Sequence, residues 1–356
     1  MPALEDYLLL MFSMKGIGKR VDFKHIKEKV SRDLKKFSEE EIKKVVETLV
    51  REGLLEEVNK LYGITRKGKD FFAKRIKEIE QELRKVNEPW VIVYKAKQYY
   101  PFVLKTIFEF CKNRYVGFYA LFTEKRFFRR DFKGKKIVLN SPKDLLFFIN
   151  IHYIDVIPCV HRIGKERPDW LVVDIDPGPK VSWEKTKEVA EITYKIFERL
   201  KLNPAIKFSG SRGFQVWSLI KEFEIPEDYQ PLVLRGGSKR ERNYFTLFSD
   251  FVRVIQKEVD KEIPGITTSE TLLKEEREDK VLLDSASMKP LGLVRAPYSV
   301  HSKTGLVSLP LSLKEVKDFE PSEASTEKTL ERYEKKGNEF ILKEAEPYKL
   351  LNLLKN

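Results

Sequence analysis

Cysteine, histidine and methionine are scarce in this chain: two, four and four among 356 residues. The two cysteines, Cys111 and Cys159, make neither a disulfide framework nor a zinc-ligand cluster, so the fold must rest on an apolar core. Long hydrophobic runs are missing as well. The stretch Tyr7 to Phe12 is far too short to cross a membrane and has no basic leader before it, so nothing points to export. No internal repeat and no low-complexity tract interrupts the chain. Few cysteines together with abundant lysine and glutamate fit a cytoplasmic location.

Charge is plentiful. With 68 Lys and Arg against 55 Asp and Glu the formal charge is +13, which suits a polyanionic partner. Residues 89 to 140 hold 12 basic and 3 acidic residues, so a net +9 sits in one stretch. Interleaved with it are Tyr99, Tyr100, Phe122, Phe127, Phe128 and Phe132. Lys125, Arg126, Arg129, Arg130, Lys133, Lys135 and Lys136 form a run that repels itself unless a counter-charge visits, and these are assigned to nucleic acid. The aromatics offer stacking surfaces for single-stranded or end-proximal bases, and they equally suit the apolar face of a core. A second basic loop carrying Arg235, Lys239 and Arg240 has glycines for mobility and suits a clamp on template or primer, as it suits a solvated loop.

The acids are placed more tellingly than the bases. In Leu171-Val172-Val173-Asp174-Ile175-Asp176 an apolar run reads as a buried strand, and its two-residue period puts both carboxylates on one face with Ile175 on the other. Asp284 ends a second short strand, Val281-Leu282-Leu283. Three carboxylates from two strands could hold one or two Mg²⁺ or Mn²⁺ ions through oxygen, with nucleotide phosphates completing the shell. Ser209-Gly210-Ser211-Arg212-Gly213 lies between two apolar runs, where small residues admit backbone N–H groups to a phosphate and Arg212 could grip it. Taken singly, each piece also describes a solvated turn. Order decides between the readings. Ser182 is a helix N-cap ahead of Val189, Ile192, Ile196 and Leu200 at helical spacing, and strands Ala205 to Phe208 and Phe214 to Ile220 flank the glycine turn.

That sequence of strand, helix, strand, turn and strand, with acids and turn at connected ends, resembles the archaeo-eukaryotic primase superfamily. Arg167 to Gly178, Ser141 to Leu146, His152 and Lys207-Phe208-Ser209-Gly210 look like the polymerase domain of ligase D-type end-joining ligases, whereas the ending of Arg295 to Gly305 looks more like a primase small catalytic subunit. The resemblance covers roughly residues 90 to 320 and implies that Asp174, Asp176 and Asp284 are catalytic and hold two Mg²⁺ or Mn²⁺ ions. It further implies that Ser209, Ser211, Arg212, Gln215, His301 and Lys303 receive a nucleoside triphosphate. At Gln215 the family places a histidine; glutamine can donate a neutral hydrogen bond to phosphate but cannot become a cation. The absent zinc module departs from primase small subunits.

Residues 1 to 88 read as a separate module. Ser38-Glu39-Glu40-Glu41 is a capping box ahead of a helix with Ile42, Val45, Val46 and Leu49 on one face. Amphipathic stretches at Leu4 to Phe12 and Phe23 to Val30 precede it. A short hairpin from Gly53 to Thr65 and a helix to about Val86 follow, a pattern that resembles winged helix-turn-helix domains. The expected organisation is thus a winged helix over 1 to 88, an α+β primase-polymerase core with mixed and antiparallel, RRM-like sheets over 89 to 320, and a C-terminal helical segment over 321 to 356. The expected activity is template-directed addition of nucleotides to a 3′ end, in replication priming or DNA repair. The expected partners are single-stranded, primed or end-containing DNA and, in trans, a ligase, a large primase subunit or a helicase, with no membrane. The competing reading is a catalytically weakened DNA-binding or scaffold protein that acts through its winged helix.

Overall fold

The computed structural model describes residues 3–122, 125–234, 239–269 and 277–355. They fall into two compact units, one of Met1–Gln98 with Leu121–Phe127 and one of Tyr99–Ala120 with Phe128–Asn356.

In the first unit, α1 (Leu4–Lys15) is followed by β1 (Val21–Asp22), α2 (Phe23–Asp33) and α3 (Glu39–Arg51). The capping box forms as its sequence requires. Ser38 Oγ accepts from Glu41 N at 3.2 Å, and the Glu41 carboxylate accepts from Ser38 N at 2.7 Å, which satisfies two of the N–H groups that a helix start leaves orphaned. Strands β2 (Leu55–Val58) and β3 (Leu61–Ile64) make the hairpin, and the sheet order is β1-β3-β2. Positive φ at both Asn59 and Lys60 gives the tight turn whose twist matches that of its strands. The helical run α4 (Arg66–Cys111) breaks at Asn87, where φ is −151° and ψ is 74°. Asn87 donates to Asp33 at 2.9 Å, and Tyr7 donates to the same carboxylate at 2.7 Å, so one acid anchors α1, α2 and the break.

In the second unit come β4 (Val116–Leu121), β5 (Arg126–Arg129), β6 (Asp131–Phe132), β7 (Lys135–Lys136), α5 (Pro142–Asn150), β8 (Tyr153–Pro158), β9 (Trp170–Pro177) and α6 (Trp183–Arg199). Then follow β10 (Ala205–Phe208), β11 (Phe214–Ile220), α7 (Tyr244–Glu262), β12 (Thr267–Thr268), β13 (Val281–Asp284), β14 (Pro310–Leu311), α8 (Leu313–Val316), α9 (Thr326–Lys336), β15 (Glu344–Ala345) and α10 (Tyr348–Leu354). Strands β4 and β8 pair antiparallel. The larger sheet runs β12-β13-β9-β11-β10-β14, mostly antiparallel, with β15 joined in parallel to the end of β11 that β10 leaves open. Helices α6 and α7 pack on one face of it, where Trp183 stacks on Phe214 with ring centroids 5.1 Å apart. The other face carries Trp170 and Trp217 against Phe110 and Phe340, and further along the strands it turns polar.

The C-terminal segment departs from its expected helical form. Gly337 ends α9 with a φ of +69°, and the chain then runs without a helix up to Tyr348, so that Phe340 drops into the tryptophan cluster and Glu344–Ala345 joins the sheet. A helix there would have left Phe340 without this pocket. Replacing the 2% exposed Phe340 by alanine should therefore cost about 3–5 kcal/mol, read as a lower urea midpoint for the second unit. A midpoint unchanged within error would show that the tail is only draped over the sheet.

Candidate functional site

The strand registers bring the acids together. Across the sheet Asp284 on β13 pairs with Asp174 on β9, and Asp174 pairs on its other side with Gln215 on β11, which itself faces Lys207 on β10. Residues directly opposite share a face, so Asp284, Asp174, Gln215 and Lys207 form one polar row. Asp176 lies two residues along on the same face. Asp174, Gln215 and Asp284 line a cavity of about 400 Å³ whose other walls include Tyr119, Phe128, Arg130, Ser287, Lys289 and Arg295.

Burial, then the charges of Asp284 and Asp176, push the Asp174 carboxyl up to about 6. Gln215 opposes that by donating from Nε2 to Asp174 Oδ1 at 3.2 Å. The amide orientation follows from its other neighbour. Trp217 Nε1 can only donate, and it does so to Gln215 Oε1 at 3.3 Å, which turns the amide nitrogen toward the carboxylate. Gln215 is thus built to hold Asp174, and its side-chain hydrogen bonds run to Asp174 and Trp217 rather than to the glycine turn.

The turn itself is shaped by two glycines. A Cβ on Gly213 would sit 1.9 Å from the Ile175 carbonyl oxygen, so only glycine lets the turn close onto β9. Gly210 has a φ of +90°, and a Cβ there would press on His301 Cβ at 3.0 Å. Ser209 Oγ accepts from the N–H groups of Ser211 and Gly213 at 3.4 and 3.3 Å and organises the turn from inside. Arg212 reaches back from it to Asp176, with Nε and one terminal nitrogen at 2.8 and 3.0 Å from the two oxygens. Facing the turn, Thr304 Oγ1 donates to Gly210 O at 2.6 Å. His301 Nδ1 accepts from the N–H groups of Lys303 and Thr304 at 3.3 and 3.2 Å, which leaves Nε2 to carry the ring proton. Lys303 is exposed on that loop. The structure therefore makes two groups of the expected site residues: Asp174, Asp284 and Gln215 in the cavity, and Ser209, Ser211, Arg212, His301 and Lys303 around the turn, with Arg212 and Asp176 joining them.

Two groups escaped the sequence reading. Asp155 on β8 is fully buried and accepts from both Arg295 Nε at 2.7 Å and its terminal nitrogen at 3.0 Å. Ser302 N and Oγ donate to it at 3.1 and 3.0 Å, and Arg295 also donates to Ser209 O at 3.0 Å. Burial works to raise the Asp155 carboxyl, and the Arg295 guanidinium with the Ser302 N–H outweighs it, so the group sits below the usual carboxylate value. One acid thus ties the cavity wall, the glycine turn and the His301 loop. Lys207 is fully buried, with Nζ 2.6 Å from Ser308 Oγ and 5.3 Å from the centre of the Trp217 ring. Burial and then Arg295 pull its ammonium well down, against Asp174 and Asp155. The signal for Asp155 was faint, a lone acid in Tyr-Ile-Asp-Val-Ile-Pro whose partner lies 140 residues on.

The basic residues divide. Arg130 lines the cavity and lies 5.3 Å over Phe128. Arg129, Lys133, Lys135 and Lys136 are exposed on and beside the β6–β7 hairpin, with Lys136 4.9 Å over the Tyr115 ring. Lys125 and Arg126 are exposed in the first unit. Lys239 is exposed, and Arg235 lies outside the described residues. Arg240 points inward, against its assignment to a clamp: its guanidinium pairs with the fully buried Asp250, which also accepts from Tyr229 Oη at 2.7 Å and Leu232 N at 2.9 Å. A buried carboxylate needs that counter-charge. Tyr99 and Tyr100 are core residues, donating to the carbonyls of Tyr298 and Ile154, so they offer no stacking surface. Phe132 packs on Phe147, Phe148 and Tyr153.

The donors at Asp174, Asp176 and Asp284 are hard carboxylate oxygens, and the Asp174 carboxyl is raised first by burial and then by the charges of Asp284 and Asp176, so this set fits a divalent cation of the Mg²⁺ or Mn²⁺ kind. Among the described residues no three His, Cys, Asp or Glu side chains already converge as a ligand set, Asp176 being turned onto Arg212.

The raised Asp174 pKa carries a sign. Between about pH 4 and pH 6 the folded chain holds a proton that the unfolded chain has lost, so this stabilisation is full below pH 4 and gone above about pH 6. In EDTA, Asp174→Asn should be more stable than the wild type by on the order of 1–2 kcal/mol at pH 7.5, with the difference vanishing near pH 4, in urea melts at both pH values. A variant less stable than the wild type at pH 7.5 would contradict the raised Asp174 pKa.

Comparison with known proteins gives the family. The family model described as LigD, primase-polymerase domain matches residues 108–340. The multifunctional non-homologous end joining protein LigD of Pseudomonas aeruginosa is 24% identical over 152 residues, which are 42% of this chain. The aligned part spans only 16% of that relative. Among solved structures, the polymerase domain from Mycobacterium tuberculosis ligase D in complex with DNA matches with a TM-score of 0.56 at 19% identity, covering 68% of this chain and 88% of that one, and shows the same fold. Since the family model covers more than half of the sequence and the fold is shared, the chain belongs to the ligase D primase-polymerase family and is a nucleotidyltransferase.

Proposed function

We propose that this chain adds nucleotides to a 3′ end on a DNA template, in DNA repair. The observation that carries the reading is the polar row: Asp174 sits between Asp284 and Gln215 on the floor of a cavity whose walls bear Arg130, Lys289 and Arg295. Acids below and cations around are what a triphosphate with its counter-ions requires. Asp174, Asp176 and Asp284 would hold Mg²⁺ or Mn²⁺, which when bound supplies charge compensation and polarisation of the reacting phosphate.

The chain's own groups supply the rest. The backbone N–H groups of the Ser209–Gly213 turn, Arg212, His301 and Lys303 would bind and orient the triphosphate, and Asp155 through Arg295 keeps turn and cavity wall in register. Gln215 keeps Asp174 aimed into the cavity without bringing a titratable proton of its own. The exposed cations of residues 129–136 would run along the DNA backbone. The first unit, with its three helices, hairpin and following helix, would serve as a winged-helix module. Among the described residues no helix is long and apolar enough to cross a membrane. A ligase, a large primase subunit or a helicase acting in trans would supply the steps outside nucleotide addition.

Labelled-nucleotide incorporation on a primed template with Mn²⁺ or Mg²⁺ tests the proposal. Asp284→Ala should lower incorporation by at least about 100-fold while DNA retardation in EDTA stays at the wild-type level. Extension by Asp284→Ala at the wild-type rate would overturn the assignment of the acids. A wild type that retards DNA but incorporates nothing would instead favour the scaffold reading.

A further inference from the structure

Within the first unit the positive charge is not spread evenly. Residues 1–88 carry 21 Lys and Arg against 17 Asp and Glu, and residues 15–32 alone carry 7 against 2. Removing that stretch leaves 14 against 15, so within residues 1–88 the whole excess lies between the end of α1 and the end of α2. Helix α3 is the opposite case. It opens on Glu39, Glu40 and Glu41, its Lys43 pairs with Glu47 at 4.0 Å, and Glu39 also takes Lys27. A helix whose exposed face begins with three carboxylates repels phosphates, although α3 is the element that a winged helix ordinarily lays in the major groove.

We propose that the corner between the end of α1 and the start of α2 is a phosphate-binding site for nucleic acid, built by Lys15, Lys19, His25, Lys29 and Lys97. This rests on the reading of the chain as acting on DNA.

Lys15 is the last residue of α1, and Gly16 turns the chain at a φ of +88° toward Lys19. His25 and Lys29 stand four residues apart on α2, hence on one face of it. Lys97 arrives from α4 and is placed at the same corner by donating to Met14 O at 3.1 Å. The groups act on one another as like charges. Burial and then Lys29 and Lys19 lower the Lys15 ammonium; burial and then Lys15 and Lys29 lower His25; burial and then Lys19 bring Lys97 down to about 8. The acids close by are few and engaged. Asp22 caps α2 by accepting from His25 N at 2.8 Å, Asp33 is held by Arg32, Tyr7 and Asn87, and Glu28 remains as the local counter-charge. Lys29 lies 5.9 Å over the Trp90 ring, a contact that leaves its N–H donors available.

A separate observation points the same way. His25 Nε2 is buried and has no hydrogen-bond partner among the described residues. A buried polar atom left unpaired is costly, and it lies among ammonium groups that repel one another; a phosphate held by those ammonium groups would relieve the repulsion.

Fluorescence anisotropy with the full chain, in EDTA and over a range of salt, tests this with two probes, a 5′-phosphorylated single strand and the same strand ending in a 5′-hydroxyl. Lys15→Glu with Lys29→Glu should weaken binding at least tenfold at low salt and lower the slope of log affinity against log salt by about 1.4, two phosphate contacts at about 0.7 each on a single strand. Lys43→Glu with Lys44→Glu on α3 should stay within twofold of the wild type. A loss confined to the phosphorylated probe identifies a terminal monoester as the ligand, and a loss on both identifies backbone diesters. If the double Glu variant fails a thermal-melt check, Lys15→Gln with Lys29→Gln replaces it, with a loss of about threefold to fivefold expected. Folded α1–α2 variants that bind like the wild type at every salt, or an α3 variant that alone loses binding, would overturn the site. A wild type without nucleotide incorporation would count against the polymerase reading and leave this comparison intact.

Discussion

Strand β9 lies between β13 and β11, and the register of those two pairings decides which side chains share a face with Asp174. Slipping either partner by one residue would send Asp284 or Gln215 to the helix-covered side and replace it with an apolar neighbour. The opposite face is heavily committed: Ile175, Val173 and Phe214 are fully buried. Hydrophobic burial on one side of the sheet thus fixes the polar row on the other. That row puts two carboxylates side by side and a third two residues away, and burial, then the charges of Asp284 and Asp176, raise the Asp174 carboxyl. A cation relieves this, and in the present arrangement Arg212 relieves part of it by pairing with Asp176. The pair is half exposed and so modest in strength, and on the proposed reading Arg212 would leave it for a triphosphate.

A second constraint works at longer range. Asp155 is inaccessible and its charge is matched by a two-pronged guanidinium and two donors from Ser302, a well-satisfied buried ion pair. Removing one member would strand the other in the core, at about 3–5 kcal/mol. Arg295 extends the pair to Ser209 O, so hydrogen bonds tie the glycine turn, the His301 loop and β8 together. On the proposed reading, the nucleotide would meet preorganised backbone donors rather than loops that must first be ordered.

Much of this was legible in the sequence because it depends on local pattern. Period-two alternation placed Asp174 and Asp176 on one face, Ser182 and Ser38 marked helix starts, and the glycines of 209–213 marked the turn; all three rest on short-range geometry. What was missed depends on partners far along the chain. Nothing in Ile154-Asp155-Val156 announces Arg295, and nothing in the charged loop before Asn243 announces that Arg240 faces Asp250 from within. The stretch Glu339 to Leu354 reads as helical, yet only Tyr348–Leu354 forms a helix, because pairing with β11 and burial of Phe340 hold the part before it in the sheet. The tyrosines at 99 and 100 belong to the core because their hydroxyls find buried carbonyls, which composition cannot reveal. The division of charge inside the first unit was countable from the start, but only the closeness of Lys97 to the end of α1 shows where it gathers.

The central claim is that the row built on β9 is where nucleotide and divalent cation meet. Anomalous scattering from Mn²⁺ in crystals grown with a non-hydrolysable nucleoside triphosphate tests it most directly. The account predicts manganese peaks bound by Asp174 and Asp284, with Asp176 released from Arg212 and Arg212 on the triphosphate. Manganese and nucleotide found elsewhere, with the Arg212–Asp176 pair intact, would contradict it.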